Sequence, residues 1–248
     1  MRIGVVGASG RVGTRLVESI LANPGLELAA ALVSPSSNLI GRPVANGSLV
    51  YRPAAAAMKS NCDVMIDFST PAASMALQNA MGAKRIPMVI GTTGYTAEQD
   101  ARLTALSRFR PLLISANFAL GFEAFTQVAF GFARQLPGVE PTVVEAHEHS
   151  RPSAVSGPSD LLAKGLQAER SSVMGFAAGA TTVVTRRKSN TAGFNEVRFN
   201  LGSCEVSLTF VVHTLAAYAE GAISAAQWLV SEAPAIGRFS CADCFKIR

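Results

Sequence analysis

The chain holds 248 residues, 49% of them hydrophobic and only 16% charged, with 22 basic against 17 acidic side chains for a net charge of +5. That length and apolar share suffice for one large domain or two modest ones, and they exclude intrinsic disorder, which needs a polar, highly charged chain. The basic residues are scattered, with Arg186-Arg187-Lys188 the densest group, so the positive balance fits anionic small molecules rather than nucleic acid.

Mean hydropathy is +0.29, yet every long apolar stretch is interrupted. Residues 119–133, for instance, contain Glu123, Thr126 and Gln127, so no run reaches the roughly 18–20 residues of a spanning helix. Met1-Arg2 leads straight into strand-like residues, without the parts of a signal peptide. A soluble, cytoplasmic protein with no membrane partner is expected. Cys62, Cys204, Cys241 and Cys244 do not look like a disulfide framework. Cys241 and Cys244 have metal-ligand spacing but no second pair nearby, so no metal is expected.

Ile3, Val5 and Val6 form a short apolar run bounded by Gly7, and Val12, Leu16, Val17, Ile20 and Leu21 then recur at helical spacing. Asn23-Pro24-Gly25 stops that helix, and residues 26–33 are a second apolar run ended by Ser34-Pro35-Ser36-Ser37. Such a strand–helix–strand unit favours a parallel pair with a right-handed crossover. The pattern repeats. Residues 64–68 read as a buried strand, and Ser69-Thr70-Pro71 opens a helix with a hydroxyl cap and a first-turn proline. Residues 87–90 form a strand running into Gly91-Thr92-Thr93-Gly94, Thr96 and Gln99 form a capping box, and 111–115 is one more strand. This alternation predicts a Rossmann-like, doubly wound parallel sheet.

After Asn117 the character changes. Residues 118–136 read as one long apolar helix, 142–146 as a strand, 156–168 as a helix, and 180–185, 194–199 and 204–212 as strands, before a last helix near 214–229. Strands grouped together predict a second α/β domain with a mostly antiparallel or mixed sheet.

Four stretches carry chemistry. Gly7-Ala8-Ser9-Gly10-Arg11-Val12-Gly13 sits between a strand and a helix, where glycines let a pyrophosphate approach backbone amides at the helix start. The strand after that helix ends in Ser34 and its neighbours without a carboxylate, and with Arg11 nearby this leans toward NADPH rather than NADH. Gly91-Thr92-Thr93-Gly94 and Ser115-Ala116-Asn117-Phe118 both end strands and are expected to face the ligand crevice of the sheet. Glu145-Ala146-His147-Glu148-His149-Ser150-Arg151 holds two of the three histidines, and Ser156-Gly157 opens a helix able to hold a carboxylate. A proton-transfer or substrate-binding site is favoured there over a metal. His213, flanked by Val212 and Leu215, reads as structural.

Together these segments resemble the 4-hydroxy-tetrahydrodipicolinate reductase (dihydrodipicolinate reductase) family of the lysine and diaminopimelate pathway, most strongly in 7–13, 64–71, 91–94, 115–118 and 145–157. The resemblance implies a Rossmann-like domain at 1–117, completed by about 214–248, and a substrate-binding and oligomerisation domain at 118–213. It implies hydride transfer from NADPH or NADH to a cyclic carboxylated imine by a homo-oligomer, a tetramer in the family. It assigns the cofactor to Gly7, Ser9, Gly10, Arg11, Val12, Gly13, Ser34, Phe68, Gly91, Thr92, Thr93, Ala116, Asn117 and Phe118.

The family's Glu-x-His-His-x-x-Lys-x-Asp-Ala-Pro-Ser-Gly-Thr stretch lies on residues 145–158. It assigns catalysis to His147 and Arg151, and substrate binding to Thr93, Glu148, Arg151, Ser156 and Gly157. Arg151 stands where the family has lysine. It can clamp a carboxylate but stays charged, so it is no ordinary acid. Glu148 replaces the second histidine, and Pro158 the threonine, which removes one backbone N–H. Two alternatives remain beside the lysine-pathway reaction: reduction of a different imine, and dinucleotide binding without catalysis.

Overall fold

The structure is a computed structural model that describes residues 1–45, 47–82, 84–147, 155–187, 191–234 and 236–245, with Met58, Lys59, His147 and Arg187 described through their backbone. The chain opens with β1 (Arg2–Val6), α1 (Arg11–Ala22), β2 (Glu27–Val33) and β3 (Tyr51–Pro53). β4 (Val64–Asp67), α2 (Pro71–Met81), β5 (Met88–Ile90), α3 (Ala97–Leu106) and β6 (Pro111–Ile114) follow. Next come α4 (Phe122–Gln135), β7 (Pro141–His147), α5 (Gly157–Met174), β8 (Thr182–Arg187), β9 (Gly193–Asn200) and β10 (Glu205–Val212). The last elements are α6 (Ala216–Ser231), β11 (Gly237–Phe239) and the single turn α7 (Cys241–Cys244).

The chain divides into two compact units. The first spans Met1–Ala119 and Leu215–Lys246, and the second Leu120–Thr214. The first unit is built on a seven-stranded sheet in the order β11-β6-β5-β4-β1-β2-β3, with every neighbouring pair parallel. Strand order runs outward in both directions from β1 and β4. The carboxyl ends of those two strands therefore form the topological switch point, where open α/β sheets bind ligands. Strands such as β4 are buried throughout, as both faces of the sheet are covered. On one face Ile3, Val5 and Ile66 pack with Leu16 and Ile20 of α1 and Ala222 and Leu229 of α6. On the other, Met65 and Met88 pack with Leu77 of α2 and Leu103 of α3. Thr70 caps α2 ahead of Pro71, and the Thr96–Gln99 capping box starts α3 as the sequence predicts.

The second unit is a four-stranded mixed sheet ordered β10-β9-β7-β8. β7 pairs in parallel with β8, while β9 is antiparallel to both β7 and β10. α4 and α5 cover one face, where Phe122, Ala129, Leu162 and Leu166 meet Val143, Val197 and Phe199.

Three expectations for this half need correction. The long helix does not start at residue 118: α4 begins at Phe122, after Gly121 at φ 89°. Asn117 Oδ1 accepts from the Ala119 amide and turns the chain, and Phe118 is buried in the core of the first unit. α5 is longer than expected, running to Met174 before Gly175 ends it in a left-handed conformation. His213 is exposed, so its apolar neighbours do not make it part of a core. Among the described residues, no helix is long and apolar enough to cross a membrane.

Candidate active site

In the first unit the turn after β1 forms the floor of the site. The Gly7 and Ala8 amides both donate to the Leu32 carbonyl, at 2.9 and 3.0 Å, and Gly10 N–H donates to Gly7 O at 2.8 Å. Gly7 sits at φ +77°, and a Cβ there would lie 2.5 Å from the Phe68 carbonyl. A Cβ on Gly13 would lie 1.9 Å from Gly7 O, so α1 approaches β1 at a distance only glycine allows. α1 is preceded by Gly10 at its N-cap, with no side-chain cap and no acidic residue in its first turn, and Ser9, Gly10 and Arg11 are exposed. A helix start left this way offers its amides and the positive end of its dipole to an anion. The cradle fits the pyrophosphate of a dinucleotide.

The other predicted cofactor residues gather at the same sheet edge in two roles. Phe68 follows β4, and its ring packs edge-on against Phe118 with centroids 5.7 Å apart. Ser34 is exposed at the end of β2, its hydroxyl 2.9 Å from that of Ser36. Thr93 and Ala116 are half-buried, while Thr92 and Asn117 are buried. Thr92 therefore does not offer its hydroxyl to a ring in the way the sequence suggests. It accepts from Ser69 N–H at 3.0 Å and donates to Asp67 Oδ1 at 3.2 Å, so its hydroxyl is spent within the protein.

Asp67 escapes sequence reasoning, although a charged residue ending an otherwise apolar buried strand was the signal. It is fully buried. Its Oδ1 receives Ser69 N–H at 3.0 Å, Ser69 Oγ at 2.6 Å and Thr92 Oγ1 at 3.2 Å, while its Oδ2 is buried with no partner among the described residues. Burial pushes this carboxyl above its ordinary range, against the pull of the Ser69, Ser74 and Thr92 hydroxyls. Tyr95 donates to Ser74 Oγ at 2.7 Å alongside, and burial raises its phenol to about 12.

In the second unit β7 ends at His147 and α5 starts at Gly157. The predicted Glu148 and Arg151, with His149, lie outside the described residues, as does the His147 side chain. The predicted role of Ser156 needs correction. The start of α5 does hold a carboxylate, but it is the protein's own Glu145. Ser156 donates to Glu145 Oε2 through its amide at 3.1 Å and its hydroxyl at 2.5 Å, and Thr185 Oγ1 of β8 donates to Oε1 at 2.8 Å. Ser156 Oγ also accepts from Ser159 N–H at 3.4 Å as the helix cap, and Asn195 of β9 donates to Ser159 Oγ at 2.8 Å.

Glu145 is fully buried. Burial pushes its carboxyl up, but the hydroxyls of Ser156, Ser159 and Thr185 and the Ser156 amide outweigh it and bring it down to about 2. Both donors of Ser156 are thus engaged within the protein, and Gly157 follows as the first residue of α5. Thr185, Ser159 and Asn195 were not legible because their partners lie far off in sequence. The alternation of β7 did put Glu145 on the same face as core residue Val143. Among the described residues no group of three metal-ligating side chains occurs, and Cys241 and Cys244 form no disulfide.

A doubly wound parallel sheet with an uncapped glycine cradle at its switch point defines a dinucleotide-binding α/β protein. Comparison with known proteins narrows this. Residues 1–118 match the family described as "Dihydrodipicolinate reductase, N-terminus", and residues 121–244 match "Dihydrodipicolinate reductase, C-terminus". The chain belongs to the dihydrodipicolinate reductase family, and so to the oxidoreductases. It is 30% identical over 244 residues to the 4-hydroxy-tetrahydrodipicolinate reductase of Methanocorpusculum labreanum, covering 95% of this chain and 96% of the relative. It is 31% identical over 258 residues to the enzyme of that name from Thiobacillus denitrificans, with the same coverage of 95% and 96%. Among solved structures, dipicolinate-bound dihydrodipicolinate reductase from Paenisporosarcina sp. TG-14 shares the fold, with a TM-score of 0.72 at 18% identity over 96% of this chain and 97% of that one.

Proposed function

We propose that the protein reduces a cyclic carboxylated imine, 4-hydroxy-tetrahydrodipicolinate, in the diaminopimelate and lysine pathway, with NADPH as the preferred donor. The observation that carries this reading is the open cradle between Gly7 and Gly13 at the switch point, in a chain whose two halves both match the reductase family. When bound, the reduced nicotinamide supplies a hydride. The chain's own residues do the rest. The amides at the start of α1 hold the pyrophosphate, with Ser9 and Arg11 exposed beside them. Phe68, Gly91, Thr93 and Ala116 line the sheet edge. His147 holds or relays the proton that follows hydride, since imidazole titrates near neutrality. Arg151 and the Gly157 amide hold a substrate carboxylate, and Glu148 limits how a second carboxylate is accepted.

The preference for NADPH rests on charge. No Asp or Glu occurs between Glu27 and Asp63, so β2 and the loop after it lack the acid that would accept a ribose 2′-hydroxyl, while Arg11 and Arg42 lie in the same part of the chain. The first unit serves as the dinucleotide-binding domain and the second as the substrate-binding and oligomerisation domain of a cytoplasmic homotetramer. Light scattering on the purified chain checks the tetramer.

The deciding experiment supplies enzymatically generated 4-hydroxy-tetrahydrodipicolinate and follows NADPH and NADH oxidation. Turnover with a higher kcat/KM for NADPH is expected. Cofactor binding without oxidation would exclude the reductase reading, and turnover of another cyclic imine alone would move the chain to a different pathway.

A further inference from the structure

Glu145 has two unusual features at once: it is a fully buried carboxylate, and it lies at a helix start that an external carboxylate is expected to use. Its bonds cross between elements. One oxygen takes the amide and hydroxyl of Ser156, eleven residues on in the chain. The other takes the hydroxyl of Thr185, forty residues on. Through Ser156 and Ser159 the network continues to Asn195, so β7, β8, β9 and the first turn of α5 are joined around one charge. The chain leaves β7 at His147 and enters α5 after Ser156, so this clasp fixes the spacing of the two anchor points flanking the segment that carries the candidate catalytic residues. It also sets the direction of the Gly157 amide, which follows Ser156 directly.

From this geometry we infer that Glu145 is a positioning residue: it acts through Ser156 to aim the start of α5, and so sets how tightly the second unit holds a substrate carboxylate. The inference rests on the proposed function for its activity readout only. A buried anion that took no part in positioning would be an unfavourable choice, since apolar residues of similar volume stabilise equally well or better. The two hydroxyls and one amide aimed at it instead define a single arrangement of the helix start.

The experiment compares wild type with Glu145→Ala, Glu145→Gln and Thr185→Val. A misplacement of about 1 Å in a binding group costs roughly 100-fold in kcat/KM, and that loss is expected for Glu145→Ala, carried mostly by KM, with the NADPH dissociation constant within twofold of wild type. The glutamine carbonyl can still accept from Ser156, and its amide can donate to the Thr185 hydroxyl, so Glu145→Gln is expected to stay within about fivefold and Thr185→Val to fall between. Added formate, which can enter the space vacated in Glu145→Ala, is expected to restore part of the activity.

Amide hydrogen exchange on the same proteins supplies the readout that needs no turnover: faster exchange at residues 156–159 in Glu145→Ala, with α1 unchanged. Wild-type KM in Glu145→Ala, or unchanged exchange at 156–159, overturns the inference. So does an equal loss of substrate and NADPH binding with no recovery by glutamine or formate, which marks a general structural role. Should the wild type itself fail to turn over the imine, the proposed function falls, while the exchange measurement still decides the role of Glu145.

Discussion

Among the described residues each unit carries one carboxyl group with no exposure at all, Asp67 at the end of β4 and Glu145 near the end of β7, and each unit has a helix start that bears on its candidate site. The two are built in opposite ways. In the first unit α1 starts without a side-chain cap, and the Ser69 and Thr92 donors of Asp67 converge on one oxygen. In the second, Glu145 occupies the start of α5 and has donors on both oxygens. Burial wins at Asp67 and raises its pKa, whereas hydrogen bonding wins at Glu145 and lowers it. The sign of a buried carboxyl's shift is thus the balance between the cost of burying its charge and the hydrogen bonds that favour the charged form. One helix start has no side-chain cap, and the other has the amide and hydroxyl of Ser156 engaged by the protein's own Glu145.

The comparison breaks most severely if the open helix start is closed sterically. Gly13→Ala puts a Cβ 1.9 Å from Gly7 O, a backbone atom that cannot move aside without deforming the cradle. Overpacking of this kind costs about 3 kcal/mol, equivalent to roughly a 100-fold loss of NADPH affinity, read by nicotinamide fluorescence titration. Binding of a dicarboxylate to the second unit should change far less.

The filled helix start can be tested with acid. Folding lowers the Glu145 pKa from 4.5 to about 2, so the unfolded chain takes up this proton first. The stabilisation is complete above pH 4.5 and is lost as the pH falls from there toward 2. At about 1.4 kcal/mol per pK unit the loss is on the order of 3 kcal/mol. In Glu145→Gln the acid limb of the unfolding midpoint, followed by circular dichroism between pH 5 and 2.5, is expected to flatten. An unchanged limb would mean that Glu145 is not the carboxylate whose protonation opens the second unit.

How much of this contrast the sequence reveals depends on range. The parallel sheet is legible because its central strands are apolar runs with sharp punctuation: Gly7 after β1, Ser34-Pro35 after β2, Thr70-Pro71 after β4. The glycine turn is legible because strand, turn and helix are contiguous. β3 and β11 are not, since Tyr51-Arg52-Pro53 and Gly237-Arg238-Phe239 have no periodicity and become strands only by pairing with β2 and β6. The reading of residues 118–121 as helix failed because apolar content says nothing about where Phe118 packs or that Asn117 caps Ala119. In the candidate site the turn residues are readable, but the partners of Glu145 lie 11 and 40 residues away, and no local pattern connects them.

The smallest expected effect sharpens the same contrast from the other carboxyl. Because folding raises the Asp67 pKa, the folded chain holds this proton longer than the unfolded one. The group's favourable contribution is present below pH 3.8 and is lost as the pH rises through its folded value. Asp67→Asn keeps an oxygen for Ser69 and Thr92 and replaces a buried, half-satisfied carboxyl with a neutral amide, at the cost of one unpaired N–H pair. Near pH 8 the avoided burial of charge outweighs that cost, and Asp67→Asn is expected to be about 1 kcal/mol more stable than wild type. At pH 3 the carboxyl is mostly neutral in both folded and unfolded chains, so the gain should vanish or reverse. Urea unfolding at the two pH values separates these outcomes. A variant equally stable relative to wild type at both would place the two buried carboxyls in the same class, and the contrast between the units would then rest on their helix starts alone.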